Sequence, residues 1–239
     1  ATGMVSYNPL FIGCGIIYAV LFVLIFLFPL PDSEQKAEGK SEGLIASLKH
    51  TNFSFESIAM IVIGFTCTGT FQLWLNCAQN FAKENAGWAN PSIMQTYYSA
   101  GTLMALVVTS LLTRKIKDVR FILVYPVICL VTLVAVLIGH SQTLMIAGAF
   151  IIVWAGAGGL LQIVTSVCNM LFPKIKGTVT ALVMIASSLC NYTILTAASK
   201  MAPSHVMIMN IILTAIGVLL GLFVNARYAK MVSLAESDE

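Results

Sequence analysis

Amide side chains recur at helical spacing in an uncharged stretch from Ser57 to Ala82. Gln72, Asn76 and Gln79 follow one another at intervals of four and three residues, which places them on one face of a helix. Such a face can hydrogen-bond a polar solute. It can equally bond neighbouring helices, because polar side chains join helices inside membranes. The residue types leave both interpretations open.

A second uncharged stretch carries a similar stripe, and a third adds small polar residues around Asn191. The stripe of the second stretch has spacings of four, four, three and four, and comprises Trp154, Gly158, Gln162, Thr165 and Asn169. Amides that faced lipid would be left without hydrogen bonds, so these faces must meet protein or water. The functional hypothesis assigns solute binding to Gln72, Asn76, Trp154, Gln162, Thr165, Asn169 and Asn191.

These residues belong to a chain with a membrane composition. It is 58% hydrophobic and 10% charged, whereas soluble domains carry about 25% charged residues. A membrane helix needs about 20 apolar residues, and charged or polar gaps divide the sequence into seven such segments. The predicted spans are Pro9–Leu30, Ser57–Ala82, Ser92–Leu112, two spans within 121–172 separated by "GHSQT" (139–143), Gly177–Ser199 and His205–Ala226. No alternating barrel pattern is present, so helices are expected. Pro126 is expected to form a kink on the lipid side.

Basic residues are distributed unevenly between the connections. Eleven of the 13 lysines and arginines fall in alternate connections and the C-terminal segment, and only Lys83 and Lys200 fall on the other side. The positive-inside rule then predicts an outer N-terminus and a cytoplasmic C-terminus. The densest group is "TRKIKDVR" (113–120).

The sequence lacks the residues that several classes of membrane protein require for their function. The last span, 205–226, has no lysine for a retinal Schiff base, and no span interior has an Asp or Glu as counter-ion. The third span lacks the acidic-Arg-aromatic ending of G-protein-coupled receptors. We find no nucleotide loop, metal cluster or nucleophile–base pair, so neither an enzyme nor a cofactor or metal is expected. No basic face remains for nucleic acid. A self-contained seven-helix receptor or scaffold stays open as the alternative function.

Three stretches resemble the major facilitator superfamily. "SAGTLMALVVTSLLTRKIKDVRFI" resembles that family's eighth helix and the basic loop after it, whose usual pattern is Gly-x4-Asp-Arg-x-Gly-Arg-Arg. Arg114 stands at the first Arg of the pattern and Lys117 keeps a later positive charge, but Thr113 replaces the Asp and Ile116 the Gly. "LFPKIKGTVTALVMIASSLCNY" (171–192) is similar to the tenth-to-eleventh loop and helix, and "WAGAGGLLQIVTSVCN" to the glycine-rich tenth helix.

The resemblance implies an all-α integral membrane protein that is the C-terminal half of a twelve-helix transporter. Residues 1–31 would be the last helix of the N-terminal half, 32–56 the central cytoplasmic loop, 57–228 a six-helix bundle of two inverted three-helix repeats, and 229–239 a cytoplasmic tail.

The resemblance also implies a secondary transporter or facilitator, a symporter or antiporter, in the plasma (inner) membrane. It would move a small polar solute, such as a sugar or a small carboxylate, by alternating access against the N-terminal six-helix half. Spans two and five would line the path, three and six would flank it, and four and seven would face lipid. Arg114, Lys117 and Asp118 would form a loop that holds one conformation.

Overall fold

The computed structural model describes residues 8–27, 55–157, 159–172 and 176–237, which are helical apart from short connections. The chain divides into two compact units, 1–43 and 44–239, and each is described by itself. The first unit contains α1 (Asn8–Leu27), a helix of 20 residues. The helices of the second unit are α2 (Phe55–Asn85), α3 (Ile93–Leu112), α4 (Asp118–Gly139), α5 (Gln142–Gly156), α6 (Leu160–Leu171), α7 (Lys176–Ala198) and α8 (Pro203–Ser237).

Five segments of the described residues are long and apolar enough to cross a membrane, and Ile12–Leu24 of α1 is a shorter apolar segment. The five are Ile58–Asn85, Asp118–Gly139, Gln142–Leu171, Lys176–Ala198 and Pro203–Lys230. The third predicted span, α3, has 20 residues but begins with the polar run Gln95 to Ser99, which lowers its mean hydropathy. The all-α membrane architecture expected from the sequence is therefore confirmed.

The break predicted at "GHSQT" separates α4 from α5. α4 ends at Gly139, and His140 adopts a left-handed conformation with φ of 47°. The Ser141 hydroxyl then accepts a hydrogen bond from the backbone N–H of Leu144 at 3.2 Å, which satisfies one of the free amides at the start of α5. This two-residue connection makes α4 and α5 antiparallel neighbours.

The helix contacts of the second unit have a two-fold pattern. α2 packs against α7 and α8, while α5 and α6 together pack against α3 and α4; α4 packs against α8, and α2 against both α5 and α6. Exchanging α2, α3 and α4 with α5–α6, α7 and α8 reproduces these pairings. Each set has three spans, an odd number, so the second set runs opposite to the first. This is the arrangement of inverted repeats. The α6–α7 contact has no equally extensive counterpart.

The span containing the second stripe is Gln142–Leu171, and within it α5 ends at Gly156 and α6 begins at Leu160. The Cβ of any larger residue at Gly159 would lie 2.9 Å from Thr109 Cγ2, so α3 approaches the chain closely beside the start of α6. The prediction that Pro126 faces lipid is wrong. Pro126 is buried in α4 on the same helix face as Ile122 and Cys129.

Candidate functional site: polar faces of the six-helix unit

The interior of the second unit has no room for a solute at the crossing of α2, α4, α5 and α8. A cavity there has about 10 Å³ open to the centre of a water molecule, which is room for about one water. It is lined by Thr66, Cys67, Thr70, Pro126, Cys129, Gly156, Leu160, Thr214 and Gly217. This crossing of helices is therefore too tightly packed to hold a small organic solute.

The polar residues of α2 divide into two groups by exposure. Thr66, Thr68 and Thr70 are buried, whereas the amides lie toward the surface. Gln72 and Gln79 are half-buried, and Asn76 and Asn80 are exposed. The Asn76 amide nitrogen donates to the backbone carbonyl of Gln72 at 2.8 Å, so the predicted stripe forms one local unit on this helix.

The buried threonines of α2 bond neighbouring helices. Thr68 shares a hydrogen bond of 2.8 Å with Ser187 of α7, and Thr70 shares one of 2.9 Å with Thr214 of α8. These pairs hold the helices together in the manner expected of small polar residues in membranes. By contrast, the described hydrogen bonds of the α2 amides, between Asn76 and Gln72, stay within α2 itself.

Trp154 lies where α5 meets α4. Its ring is half-buried against that of Tyr125, with 5.6 Å between the ring centroids, and the Tyr125 hydroxyl shares a hydrogen bond of 2.8 Å with Thr109 of α3. The Trp154 Nε1 atom is itself buried and has no hydrogen-bond partner among the described residues. An indole N–H is a donor only, so an additional acceptor would satisfy it.

The α6 members of the second stripe differ in their surroundings. Gln162 is exposed, and Thr165 is half-buried with its hydroxyl bonded to the Leu161 carbonyl at 2.8 Å. The Asn169 amide oxygen accepts a hydrogen bond from Thr180 of α7 at 3.0 Å. Asn169 thus joins α6 to α7, and Gly158 lies outside the described residues.

Gln72, Trp154 and Asn191 occupy one level of the bundle. Phe71 of α2 packs beside Gly156, with 3.4 Å from its Cβ to the place a Cβ on Gly156 would take, and Cys190 Sγ lies 2.8 Å from the corresponding place on Gly69. Gln72, Trp154 and Asn191 are each within two or three residues of these contacts. The Asn191 amide oxygen, like Trp154 Nε1, is buried without a partner among the described residues.

The predicted set extends too far along the bundle to hold one small solute. At 1.5 Å per helical residue, Asn76 stands about 7 Å from the level of Phe71 toward one end. Asn169 stands about 13 Å beyond Leu160, the first residue of α6, toward the other end. Those two residues cannot contact a small molecule at once. Gln162, about 3 Å beyond Leu160, lies between them.

Sequence reasoning missed the polar face of α8. Asn210 is 1% exposed, and its amide nitrogen donates to the Thr70 carbonyl at 3.1 Å. The signal was available, because polar residues and glycines recur at helical spacing along this apolar helix: Asn210, Thr214, Gly217, Gly221 and Asn225. This face packs inward, while the exposed apolar residues of α8 are isoleucines and leucines.

The predicted conformational loop lies between α3 and α4. Arg114 and Lys117 are exposed, and Asp118 is half-buried as the first residue of α4. Near it, the Asn225 amide nitrogen of α8 donates to the Val119 carbonyl at 2.6 Å. The first turn of α4, directly after the loop, is therefore fixed to α8, and the conformational role of the loop stays a prediction.

The fold and the separation of apolar from polar exposed faces define an integral membrane protein built from inverted helical repeats. The sequence model described as the Major Facilitator Superfamily matches residues 1–193 of this chain. The chain belongs to that family, as its sequence motifs indicated.

Curated relatives agree with this assignment. The chain is 32% identical over 222 residues to "Uncharacterized MFS-type transporter YfkL" of Bacillus subtilis (strain 168), covering 89% of the chain and 55% of the relative. It is 25% identical over 249 residues to "Inner membrane transport protein YdiN" of Escherichia coli (strain K12), covering 98% and 59%. The chain spans about half the length of the curated relatives it matches. No solved structure matches it significantly.

Proposed function

We propose that this chain is the C-terminal half of a secondary transporter that moves a small polar organic solute by alternating access. Family membership supports transport as the activity, since the matched relatives are named as transport proteins. The observation that carries the location of the site is the level shared by Gln72, Trp154 and Asn191. There, the half-buried Gln72 amide shares a level with two buried polar atoms that have no hydrogen-bond partner among the described residues.

The solute is proposed to be a sugar or a small carboxylate. Trp154 Nε1 offers a donor, the Asn191 amide oxygen an acceptor, and Gln72 and Gln162 offer both. The indole ring also provides a face on which a sugar ring can stack. Asn76 and Thr165 would extend the path on either side, and Asn169 would act mainly between helices.

An N-terminal six-helix half is the proposed partner. α3 and α7 expose large apolar side chains, including Leu103, Val107, Ile185 and Leu189, beside the polar residues at the solute level. A second bundle would cover these faces and enclose the solute between the halves. α4 and α8 would remain in contact with lipid.

The orientation is also a proposal: an outer N-terminus, a cytoplasmic C-terminus and insertion in the plasma (inner) membrane. The charge asymmetry of the connections supports it. A reporter enzyme active only in the cytoplasm, fused after Glu239, should be active. An inactive C-terminal fusion together with an active one in the connection 86–92 would contradict the orientation.

Transport by variants tests the site. The full-length protein would be reconstituted in vesicles and screened with labelled sugars and small carboxylates. For a transported solute, Trp154→Phe keeps an aromatic ring but removes the donor, and should raise KM about three- to tenfold, the value of one hydrogen bond. Gln162→Leu should abolish uptake with folding intact, as judged by size-exclusion chromatography.

Gln142→Leu is the matched control, because Gln142 is an exposed amide at the first position of α5, away from the solute level. It should leave KM and the maximal rate unchanged. Normal uptake by both site variants would remove Trp154 and Gln162 from the site while leaving transport itself intact. Failure of every solute to move, with the wild-type protein correctly folded, would instead count against the proposed activity.

A further inference from the structure

The exposed residues of α4 form a single stripe that ends in positive charge. From residue 117 to residue 138 the exposed positions follow spacings of three and four, which is one helix face. They are Lys117, Arg120, Val124, Val127, Val131, Val134 and Ile138. At 1.5 Å per residue, Arg120 to Ile138 measures about 27 Å, close to the thickness of about 30 Å of a hydrocarbon core. The stripe therefore places Arg120 at the level of lipid headgroups.

The neighbouring helix α8 repeats this pattern. Its exposed stripe is apolar over most of its length and ends in a lysine: Ile208, Ile212, Ile216, Leu219, Leu222, Ala226 and Lys230. α4 and α8 pack directly against each other. Because Asn225 bonds the Val119 carbonyl, the basic end of one stripe lies beside the basic end of the other.

We propose that the paired stripes of α4 and α8 form a binding site for an anionic phospholipid. The acyl chains would lie along the valines and isoleucines, and the phosphate would contact Lys117, Arg120 and Lys230. The start of α4 adds the positive end of its helix dipole. Basic groups between helices at the cytoplasmic end of a membrane bundle have the chemistry that recognises such headgroups.

Charge decides between lipid and a second copy of the chain as the occupant. Two copies related by a two-fold axis along the membrane normal would bring the same basic ends together, and like charges in contact are unfavourable. An anionic headgroup neutralises them. Asp118 is the nearest opposing carboxylate in the loop sequence; it is half-buried and lies outside the exposed stripe.

Native mass spectrometry of the purified full-length protein tests the site with phosphatidylglycerol and phosphatidylcholine as probes. The wild type should bind phosphatidylglycerol more tightly, and higher ionic strength should remove that preference. Equal binding of the two lipids would overturn the proposal without any variant.

Variants then locate the site. Each basic residue near an anionic surface contributes about fivefold in affinity, so Lys117→Gln, Arg120→Gln and Lys230→Gln together should weaken phosphatidylglycerol binding roughly 100-fold. Arg114→Gln, Lys115→Gln and Lys176→Gln together are the matched control, since these exposed residues lie off both stripes. The control should lose less than about fivefold. Equal losses of affinity in the two triple variants would show that phosphatidylglycerol is attracted non-specifically, and would overturn the proposed site.

Cysteine cross-linking tests whether a second copy of the chain, and not lipid, covers the stripe. Val131, 64% exposed on the α4 stripe, would be replaced in Val131→Cys and treated with a short thiol cross-linker in a bilayer. Little dimer is expected when lipid covers the stripe. Near-complete dimer formation would show that a second copy covers it and would overturn the lipid assignment.

Discussion

α4 and α8 approach each other closely at Gly221, and the structure indicates the cost of adding a side chain there. A Cβ at this position would lie 2.7 Å from the Ile122 carbonyl oxygen and 3.3 Å from Leu123 Cα. Both are backbone atoms, which cannot rotate away as a side chain can. Gly221→Ala therefore requires α4 and α8 to separate.

The expected loss of stability follows from how far the added Cβ falls short of an ordinary contact distance. Ordinary contact begins at 3.4 Å, so the helices must move apart by about 0.7 Å, a gap at which neighbouring atoms lose a quarter to a half of their dispersion energy. Overpacking of this kind destabilises by about 1–3 kcal/mol, offset by up to about 1 kcal/mol of better helix propensity for Ala. We expect a net loss of about 1–2 kcal/mol.

Thermal unfolding of the purified full-length protein measures this loss. For a domain of 150–250 residues, about 1 kcal/mol shifts Tm by roughly 2–4 °C, so Gly221→Ala should lower the Tm of the unit that contains α4 and α8 by several degrees. Gly177→Ala is the matched control, because nothing lies within 4 Å of the Cβ it would add; it should leave Tm unchanged or slightly raised. A Gly221→Ala protein as stable as the control would refute the close helix contact.

Two further predictions concern polar contacts between helices. In a double-mutant cycle of Thr70→Val and Thr214→Val, the free energies of unfolding should give a coupling energy of about 0.6 kcal/mol and no more than about 1.7 kcal/mol. The coupling energy is modest because each hydroxyl also lies within hydrogen-bond distance of a carbonyl of its own helix. A coupling energy near zero would contradict the hydrogen bond between the two hydroxyls. Asn225→Leu should destabilise by about 1 kcal/mol, since it removes the bond to the Val119 carbonyl, whereas Asn225→Gln should recover part of that loss; identical Tm values for Asn225→Leu and the wild type would exclude the contact.

The sequence predicted the parts of the fold that depend on local composition. Uncharged segments longer than a membrane is thick must be helical, and "GHSQT" places a polar turn between two of them. The exposed faces of α4 and α8 are also readable, because only hydrocarbon side chains recur there at helical spacing over the length of a bilayer. These features need no knowledge of what packs against each helix.

The features that the sequence alone leaves open depend on tertiary contacts. Gly156 and Gly159 permit either close packing or a bend, and only the structure shows that α5 ends at Gly156 and α6 begins at Leu160. The prediction that Pro126 faces lipid is wrong, because Pro126 shares the buried face of Ile122 and Cys129. The spacing of four and three residues already places these three side chains on one helix face.

The polar stripes show most clearly what residue spacing can and cannot separate. Helical spacing places Gln72 and Asn76 on one face, but it gives every polar side chain of a stripe the same status. The structure distinguishes them by partner: Thr68 and Thr70 bond neighbouring helices, Asn169 bonds Thr180, and Trp154 Nε1 and the Asn191 amide oxygen have no described partner. A buried polar atom without a partner is costly unless a ligand, water or another chain supplies one. The solute site is therefore better sought among these unsatisfied atoms than among all the polar residues of the path.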